Sequence, residues 1–352
     1  MEEISKRLVK RGFEVEVLTI DTTGELESKC VLNGVKIRRF ESWQSRKISE
    51  VYYPSGMLKQ YLLKNSNKYD IVHAHNYHAL PALYAAQTKS SNKFVFTPHY
   101  HGAGSYFFRN LLHIPYKFFL GRGIFESADR VICVSNYEKN LVLNNIGVDE
   151  KKVTVIPNGV DLDEFKDILS KPKSFRSILY VGRLEKYKGI QYILKALPRL
   201  DEDFIVEIVG VGPYKTELIE LATNLGVDSR VRFYENLSRE QLLQKYVDAD
   251  VFVILSLRES YGICVAEALS SGTPCIVLNS SALREWVDED SCFGIDYPPN
   301  IDVLVKLIRK VSGKIVDYKG IRKRVPSWNY VAEKVSKIYE SFYEEPSEKS
   351  VI

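Results

Sequence analysis

Asp250–Pro274, DVFVILSLRESYGICVAEALSSGTP, holds a strand, a tight turn and a helix in immediate succession. Val251–Leu255 is an unbroken apolar run of the length a fully buried parallel strand needs. Arg258-Glu259-Ser260-Tyr261-Gly262 is a polar turn with a glycine. Ile263–Leu269 then reads as a helix, closed by Ser271-Gly272 and stopped by Pro274. This order places the turn at the carboxyl end of a parallel strand, where open α/β sheets bind ligands. The helix tip there offers N–H groups and a positive dipole end suited to phosphate. Glu259 stands in the turn. Glu267 stands about five residues into the helix, ~7–8 Å along its axis. The two could hold two parts of one elongated ligand, or be a loop charge and a solvated helix residue. Val265, Ala266, Ala268 and Leu269 around Glu267 make a surface position for it less obvious.

The same alternation runs through the chain. Strands are expected at Glu14–Ile20, Val35–Phe40, Ile71–His75, Phe94–Thr97, Val131–Val134 and Val153–Ile156. The second half continues with Ile178–Val181, Ile205–Val209, Val231–Tyr234, Val251–Leu255 and Cys275–Leu278. Helical patterns lie between them at Ala79–Thr88, Tyr137–Asn145, Gly189–Leu197, Lys215–Leu225, Arg239–Asp248, Val265–Ser270 and Ile301–Val311. That is two consecutive doubly wound α/β units facing a cleft. Pro157-Asn158-Gly159-Val160-Asp161 and the polar stretch to Ser174 form the expected hinge. The units are then 1–160, 161–325 and a closing segment 326–352.

Composition narrows the class. A length of 352 residues, 45% hydrophobic and 27% charged, describes a globular protein with room for two cores. A net charge of +4 over that length does not imply nucleic acid. Cys30, Cys133, Cys264, Cys275 and Cys292 are scattered, without CxxC spacing, as buried free thiols in a reducing compartment would be. No long apolar run and no signal peptide is visible, so a cytoplasmic location is expected.

After the strand ending at Val181 comes Gly182-Arg183-Leu184-Glu185-Lys186-Tyr187-Lys188-Gly189, with a helix beginning near Gly189. Glycine at the strand end, then Arg183 and Lys188, is a layout for gripping phosphate oxygens. The alternative is a pair of solvated loop cations. A second glycine turn, Val209-Gly210-Val211-Gly212-Pro213, follows the next strand. GxGxxG and GxxxxGK[ST] are both absent.

VGRLEKYKG, VGVGP, ESYGICVAEALSSGTP and IPNGVD, in this order and spacing, resemble family-4 retaining glycosyltransferases of the GT-B fold over nearly the whole chain. Glu259 and Glu267 form that family's E-x7-E signature. The resemblance implies transfer of a hexose from a UDP- or GDP-linked donor to an acceptor hydroxyl without an essential metal or cofactor. It implies that Arg183 and Lys188 clasp the diphosphate and that Glu267 holds the ribose hydroxyls. Glu259 would face the sugar, and Gly182, Gly210, Ser260, Tyr261, Gly262 and Ile263 would line the donor site. His99 in Thr97-Pro98-His99 would lie beside the sugar as a catalytic residue, with His75, Asn76 and His101 on the acceptor side.

The six histidines fall between His73 and His113. The H-x-H pairs at 73/75 and 99/101 invite a metal, but strand-end polar residues make the same pattern. The Asp pairs 161/163, 201/203, 248/250 and 288/290 fall in linkers, turns or helix ends and are not expected to hold a metal–nucleotide.

Gly104–Arg122, with Arg109, Lys117, Arg122 and many aromatics, could lie in a membrane interface and meet a lipid-linked or glycan acceptor, or pack under the acceptor site. Pro326 to Phe342 resembles the helix that returns to the first domain in this fold. The chain opens directly in a helix capped by Gly12, where relatives place a strand and glycine-rich loop first. The first domain is therefore expected to lack a central strand. Glu235 stands where relatives carry glycine near the base. Two other readings remain: a nucleotide-sugar-binding protein without activity, and another GT-B enzyme such as a nucleotide-sugar 2-epimerase.

Overall fold

The structure is a computed structural model that describes residues 1–21, 23–42, 54–102, 121–314, 316 and 318–343. Arg109, His113, Lys117 and the rest of the aromatic stretch 104–122, apart from its last two residues, lie outside them.

Two compact units result: Met1–Asn158 with Trp328–Ile352, and Gly159–Ser327. The first holds β1 (Glu16–Asp21), β2 (Lys29–Leu32), β3 (Val35–Glu41), β4 (Ile71–His75), β5 (Lys93–Thr97), β6 (Arg130–Cys133) and β7 (Val153–Val155). Its helices are α1 (Glu2–Lys10), α2 (Gly56–Asn65), α3 (Leu80–Gln87), α4 (Arg122–Ser127) and α5 (Asn136–Ile146). The second holds β8 (Arg176–Val181), β9 (Phe204–Val209), β10 (Val231–Tyr234), β11 (Val251–Ile254), β12 (Cys275–Leu278) and β13 (Cys292–Ile295). Its helices are α6 (Ile190–Ala196), α7 (Lys215–Asn224), α8 (Arg239–Asp248), α9 (Ile263–Ser270), α10 (Ile301–Val311) and α11 (Tyr318–Arg324). The last helix, α12 (Trp328–Glu340), belongs to the first unit.

In the first unit β4-β5-β6-β7 form one parallel sheet, and β1-β3-β2 form another. In the smaller sheet β1 and β3 run parallel while β2 returns antiparallel. The β2–β3 turn is Asn33-Gly34, both at positive φ (51° and 80°), the Asn-Gly signal of a tight hairpin. Sequence patterning passes over β2 because its apolar residues face outward: Val31 is 69% exposed. The second sheet, β10-β9-β8-β11-β12-β13, is parallel throughout, and its order reverses between β8 and β11. All four residues of β11 are buried, as its apolar run requires. That reversal point is where a doubly wound sheet opens a crevice.

The two glycine turns meet at this crevice. Gly182 N donates to Val209 O at 3.0 Å and Leu184 N to Val211 O at 2.9 Å. A Cβ on Gly210, whose φ is 144°, would stand 2.0 Å from the Gly182 carbonyl oxygen. Only a bare α-carbon lets the two backbones pass.

Helix α12 lays Val331, Val335 and Tyr339 on Leu8, Val95, Ile132 and Ile156. Full burial of such side chains stabilises by about 1.5–3 kcal/mol each. His73 ties the layer together, its Nδ1 2.6 Å from the Tyr339 hydroxyl and its Nε2 2.8 Å from Thr97 Oγ1. Burial, and then His99, push its pKa from 6.5 down to about 3.

Two outcomes are expected. Gly210→Ala should cost about 2 kcal/mol or more, lowering Tm by several degrees; an unchanged melting curve would contradict the packing described. For His73 the folded pKa lies below the unfolded one, so the unfolded chain takes up the proton first. Stability is then lost as pH falls from 6.5 toward 3, on the order of 1–2 kcal/mol by pH 5. Urea titrations at pH 7.5 and pH 5 should show a smaller drop in His73→Asn than in the wild type, and equal drops would remove this role.

Candidate functional site

Past β8 the chain makes a 3-10 turn, Lys186–Lys188, and Leu257 N, just beyond β11, donates to Tyr187 O at 3.0 Å. Two strand ends are thereby fastened together at the sheet's reversal point. The result is an ion pair: Lys188 Nζ lies 2.6 Å from Glu259 Oε1, with the side chains 12% and 16% exposed. Burial opposes the lysine's charge and Glu259 overcomes it, so Lys188 sits above the ordinary lysine range.

The Glu259 turn is clamped from beneath by Ser281–Trp286. Glu259 N donates to Ser281 Oγ at 3.2 Å, Ala282 N to Glu259 O at 3.2 Å, and Trp286 Nε1 to Tyr261 O at 2.8 Å. Tyr261 packs edge-on against Trp286 at 5.3 Å. Gly262, at φ 87°, caps α9, and a Cβ there would stand 2.8 Å from Leu283 Cδ2. Ile263 begins the helix; Val265 N and Ala266 N donate to Gly262 O at 2.9 and 3.3 Å, and the N–H groups of Ile263 and Cys264 ahead of them have no acceptor within the helix. Ser260 lies in the turn between Glu259 and Tyr261, and Arg183 directly follows Gly182, which packs on Gly210. The Arg183 guanidinium donates to the Tyr187 hydroxyl at 3.0 Å, and its carbonyl accepts from Tyr180 OH at 2.8 Å.

Glu267 is 14% exposed, with one partner on each carboxylate oxygen. Its Oε1 accepts from Arg239 Nη1 at 2.5 Å and its Oε2 from Tyr246 OH at 3.0 Å. Arg239 in turn donates to Glu164 Oε2 at 2.7 Å. The sequence marked Glu267 but not its partners. The one available signal was Ser238-x-x-Gln241, a reciprocal capping box that makes Arg239 the first residue of α8. Nothing local in the sequence points to Ser281 or Trp286. The turn bearing Glu235 is built differently from the expected pattern: Glu235 pairs with Lys215 at 2.7 Å, and the left-handed residue is Asn236 (φ 53°).

The Asp pairs serve local ends. Asp161 accepts from Asp163 N, Asp201 and Asp203 grip Arg176, Asp250 pairs with Lys173, and Asp288 accepts from Ser291 and Cys292 N. Among the described residues, no three His, Cys, Asp or Glu side chains gather as a metal-ligand set.

In the first unit β4 and β5 end side by side, and both chains turn through left-handed residues, Asn76 (φ 71°) and His99 (φ 49°). Such backbone is costly away from glycine and collects at functional sites. His75 Nδ1 and His99 Nε2 approach to 3.5 Å, and their rings stack at 5.7 Å. Burial pushes His99 down to about 4 and His75 well below the usual histidine range, with His73 and His99 adding to the effect on His75. Both line a cavity of 120 Å³ with His73, Thr97, Asn158 and Trp328. Asn76 turns its side chain to the backbone, accepting from His78 N at 3.0 Å, and His101 packs on the His78 ring at 5.6 Å. His75 and His99 are thus brought together, while Asn76 and His101 face other neighbours.

The loop carrying His99 is held from below by Glu138, fully buried in α5. Its carboxylate accepts from the N–H groups of Tyr100 and Val134, and burial pushes it up to about 8 against their pull. No described helix is long and apolar enough to cross a membrane.

Comparison with known proteins agrees with this fold. Residues 1–164 match the family described as Glycosyltransferase Family 4, and residues 161–314 match Glycosyl transferases group 1. An uncharacterized glycosyltransferase of Methanocaldococcus jannaschii is 27% identical over 96% of this chain and 92% of its own length. Sucrose-phosphate synthase from Thermosynechococcus elongatus superposes with TM-score 0.78 at 18% identity, covering 97% of this chain and 92% of its own. Anabaena HepE, solved in complex with UDP-glucose, superposes with TM-score 0.73 at 14% identity, covering 93% of this chain and 100% of its own. At those identities the structural likeness speaks for the fold: two Rossmann-like units of the GT-B type. The chain belongs to the family-4, group 1 glycosyltransferases and is a hexosyltransferase.

Proposed function

We propose that the protein transfers a hexose, with retention at the anomeric carbon, from a UDP- or GDP-linked donor to an acceptor hydroxyl. The observation that carries this reading is the Lys188–Glu259 pair at the tip of α9, with Glu267 anchored deeper in the same helix. A diphosphate would sit beside Lys188 and Arg183, where one ammonium, one guanidinium and a helix N-terminus would offset its charge. The ribose hydroxyls would then meet Glu267, and Glu259 would accept from the sugar. The solved neighbour bound to UDP-glucose supports a nucleotide-sugar donor.

The bond from the anomeric carbon to the diphosphate oxygen breaks as negative charge grows on that oxygen. Lys188, held protonated, and Arg183 stabilise this charge where it develops. The acceptor oxygen attacks from the face the diphosphate leaves, and its proton passes to the departing phosphate. His99, neutral and desolvated, would bond the sugar as an uncharged partner, and His75 would stand on the acceptor side with Asn76 and His101. The acceptor, lipid-linked or a free glycan, would approach that side, with residues 104–122 as the candidate contact to a membrane face. The reading assigns no step to a metal or other cofactor.

Lys188→Ala and Glu259→Ala should each lower kcat/KM about a hundredfold or more, with the far-UV circular dichroism of a folded protein. Wild-type turnover in both would overturn the assignment of roles. In a thermal-shift screen of UDP- and GDP-sugars, one base should raise Tm, since ligand at 100 times its Kd adds about 2.7 kcal/mol. That shift and the transfer rate should survive EDTA, and their loss would put a metal into the mechanism.

A further inference from the structure

Glu267 is not left to find its own orientation. One of its oxygens accepts from Arg239 and the other from Tyr246, itself fully buried. Each carboxylate oxygen has two acceptor positions. One position on each oxygen is therefore occupied, and one on each is left over. Two adjacent acceptors, fixed in direction, match two adjacent hydroxyls.

Arg239 is anchored in its turn. Its fork spans Glu267 and Glu164, the latter in the 3-10 turn Leu162–Phe165. The capping box of Ser238 and Gln241 fixes its backbone at the start of α8. Burial works against its charge, and Glu164 and Glu267 together outweigh that, so the guanidinium stays protonated. Without it, a carboxylate only 14% exposed would keep a single neutral donor, Tyr246, and would be freer to rotate.

We propose that Arg239 is a positioning residue that aims Glu267 at the ribose diol and so sets the preference for ribonucleotide over deoxyribonucleotide donors. This rests on the nucleotide-sugar reading and goes beyond it by assigning sugar discrimination in the nucleotide to a residue that does not touch the donor.

The test is calorimetric binding of UDP, GDP and their 2′-deoxy forms to the full chain. Whichever base the wild type binds should bind about tenfold or more tightly as the ribonucleotide. Arg239→Ala and the bulkier neutral Arg239→Gln should weaken the ribonucleotide about tenfold while changing the deoxy form little, so that the ratio approaches one. Arg239→Lys, which keeps a charge on Glu267, should recover part of the ratio. A general loss of structure would weaken both forms alike and leave the ratio in place. If either neutral variant keeps the wild-type ratio, or if the wild type binds both forms equally, the proposal is overturned. A wild type that binds neither UDP nor GDP would overturn the nucleotide-sugar reading itself, and this proposal with it.

Discussion

A lysine and a glutamate that neutralise each other at the carboxyl end of β11 are the constraint to which the second unit is built. Taking two charges out of water is costly, and their attraction repays it only when the geometry is good. Here the geometry comes from backbone rather than from the pair itself. The Tyr187 carbonyl is held by Leu257, and Ser281, Ala282 and Trp286 hold the chain at Glu259 and Tyr261, just ahead of Gly262. The pair therefore reports a rigid turn. An arriving diphosphate would offer Lys188 a second anion at little structural cost, and Glu259 would keep its place while changing partners.

The first unit solves a different problem. Its candidate groups are imidazoles packed against one another, and burial keeps them neutral. A neutral pocket suits a part of the reaction where charge should not accumulate, beside a sugar and an incoming hydroxyl. Strain is accepted to build it: the left-handed backbone of His99 is secured by Glu138, which takes the N–H of the next residue. One unit thus offers paired charge and the other paired uncharged donors and acceptors, in keeping with the proposed division between a phosphate-bearing donor and a hydroxyl acceptor.

Much of this was legible before any coordinates. The apolar run 251–255 reads as a buried strand and the helix after it as starting at Ile263, which is where it begins, with Gly262 as its left-handed cap. Ile71–His75, Val231–Tyr234 and Cys275–Leu278 were read to the residue; Cys275–Leu278 is a continuous buried apolar run, while the other two are half-buried strands of mixed apolar and polar residues. β13 went unread: in Cys292–Ile295 a glycine interrupts the run, and its partner β12 supplies what the pattern lacks. The Glu267 anchors were unreadable for a deeper reason. Arg239 and Tyr246 come from a different helix, and which face of α8 meets α9 is decided by packing across the sheet, not by any local period.

The four Asp pairs show why motif chemistry must be weighed against local electrostatics. Their spacing is that of a metal–nucleotide site, but their place in linkers, turns and helix ends speaks against one, and each pair has partners nearby in a cap, an arginine or a lysine. A carboxylate already paired contributes little to gathering a metal, because the incoming ion must first displace a bound partner. Arg183 and Lys188 stand on one turn after β8, set by two glycines that let the strands' exits pass. The proposed donor chemistry therefore rests on Arg183 and on a lysine that Glu259 already neutralises, so an arriving diphosphate would take over or share Lys188 at the tip of α9.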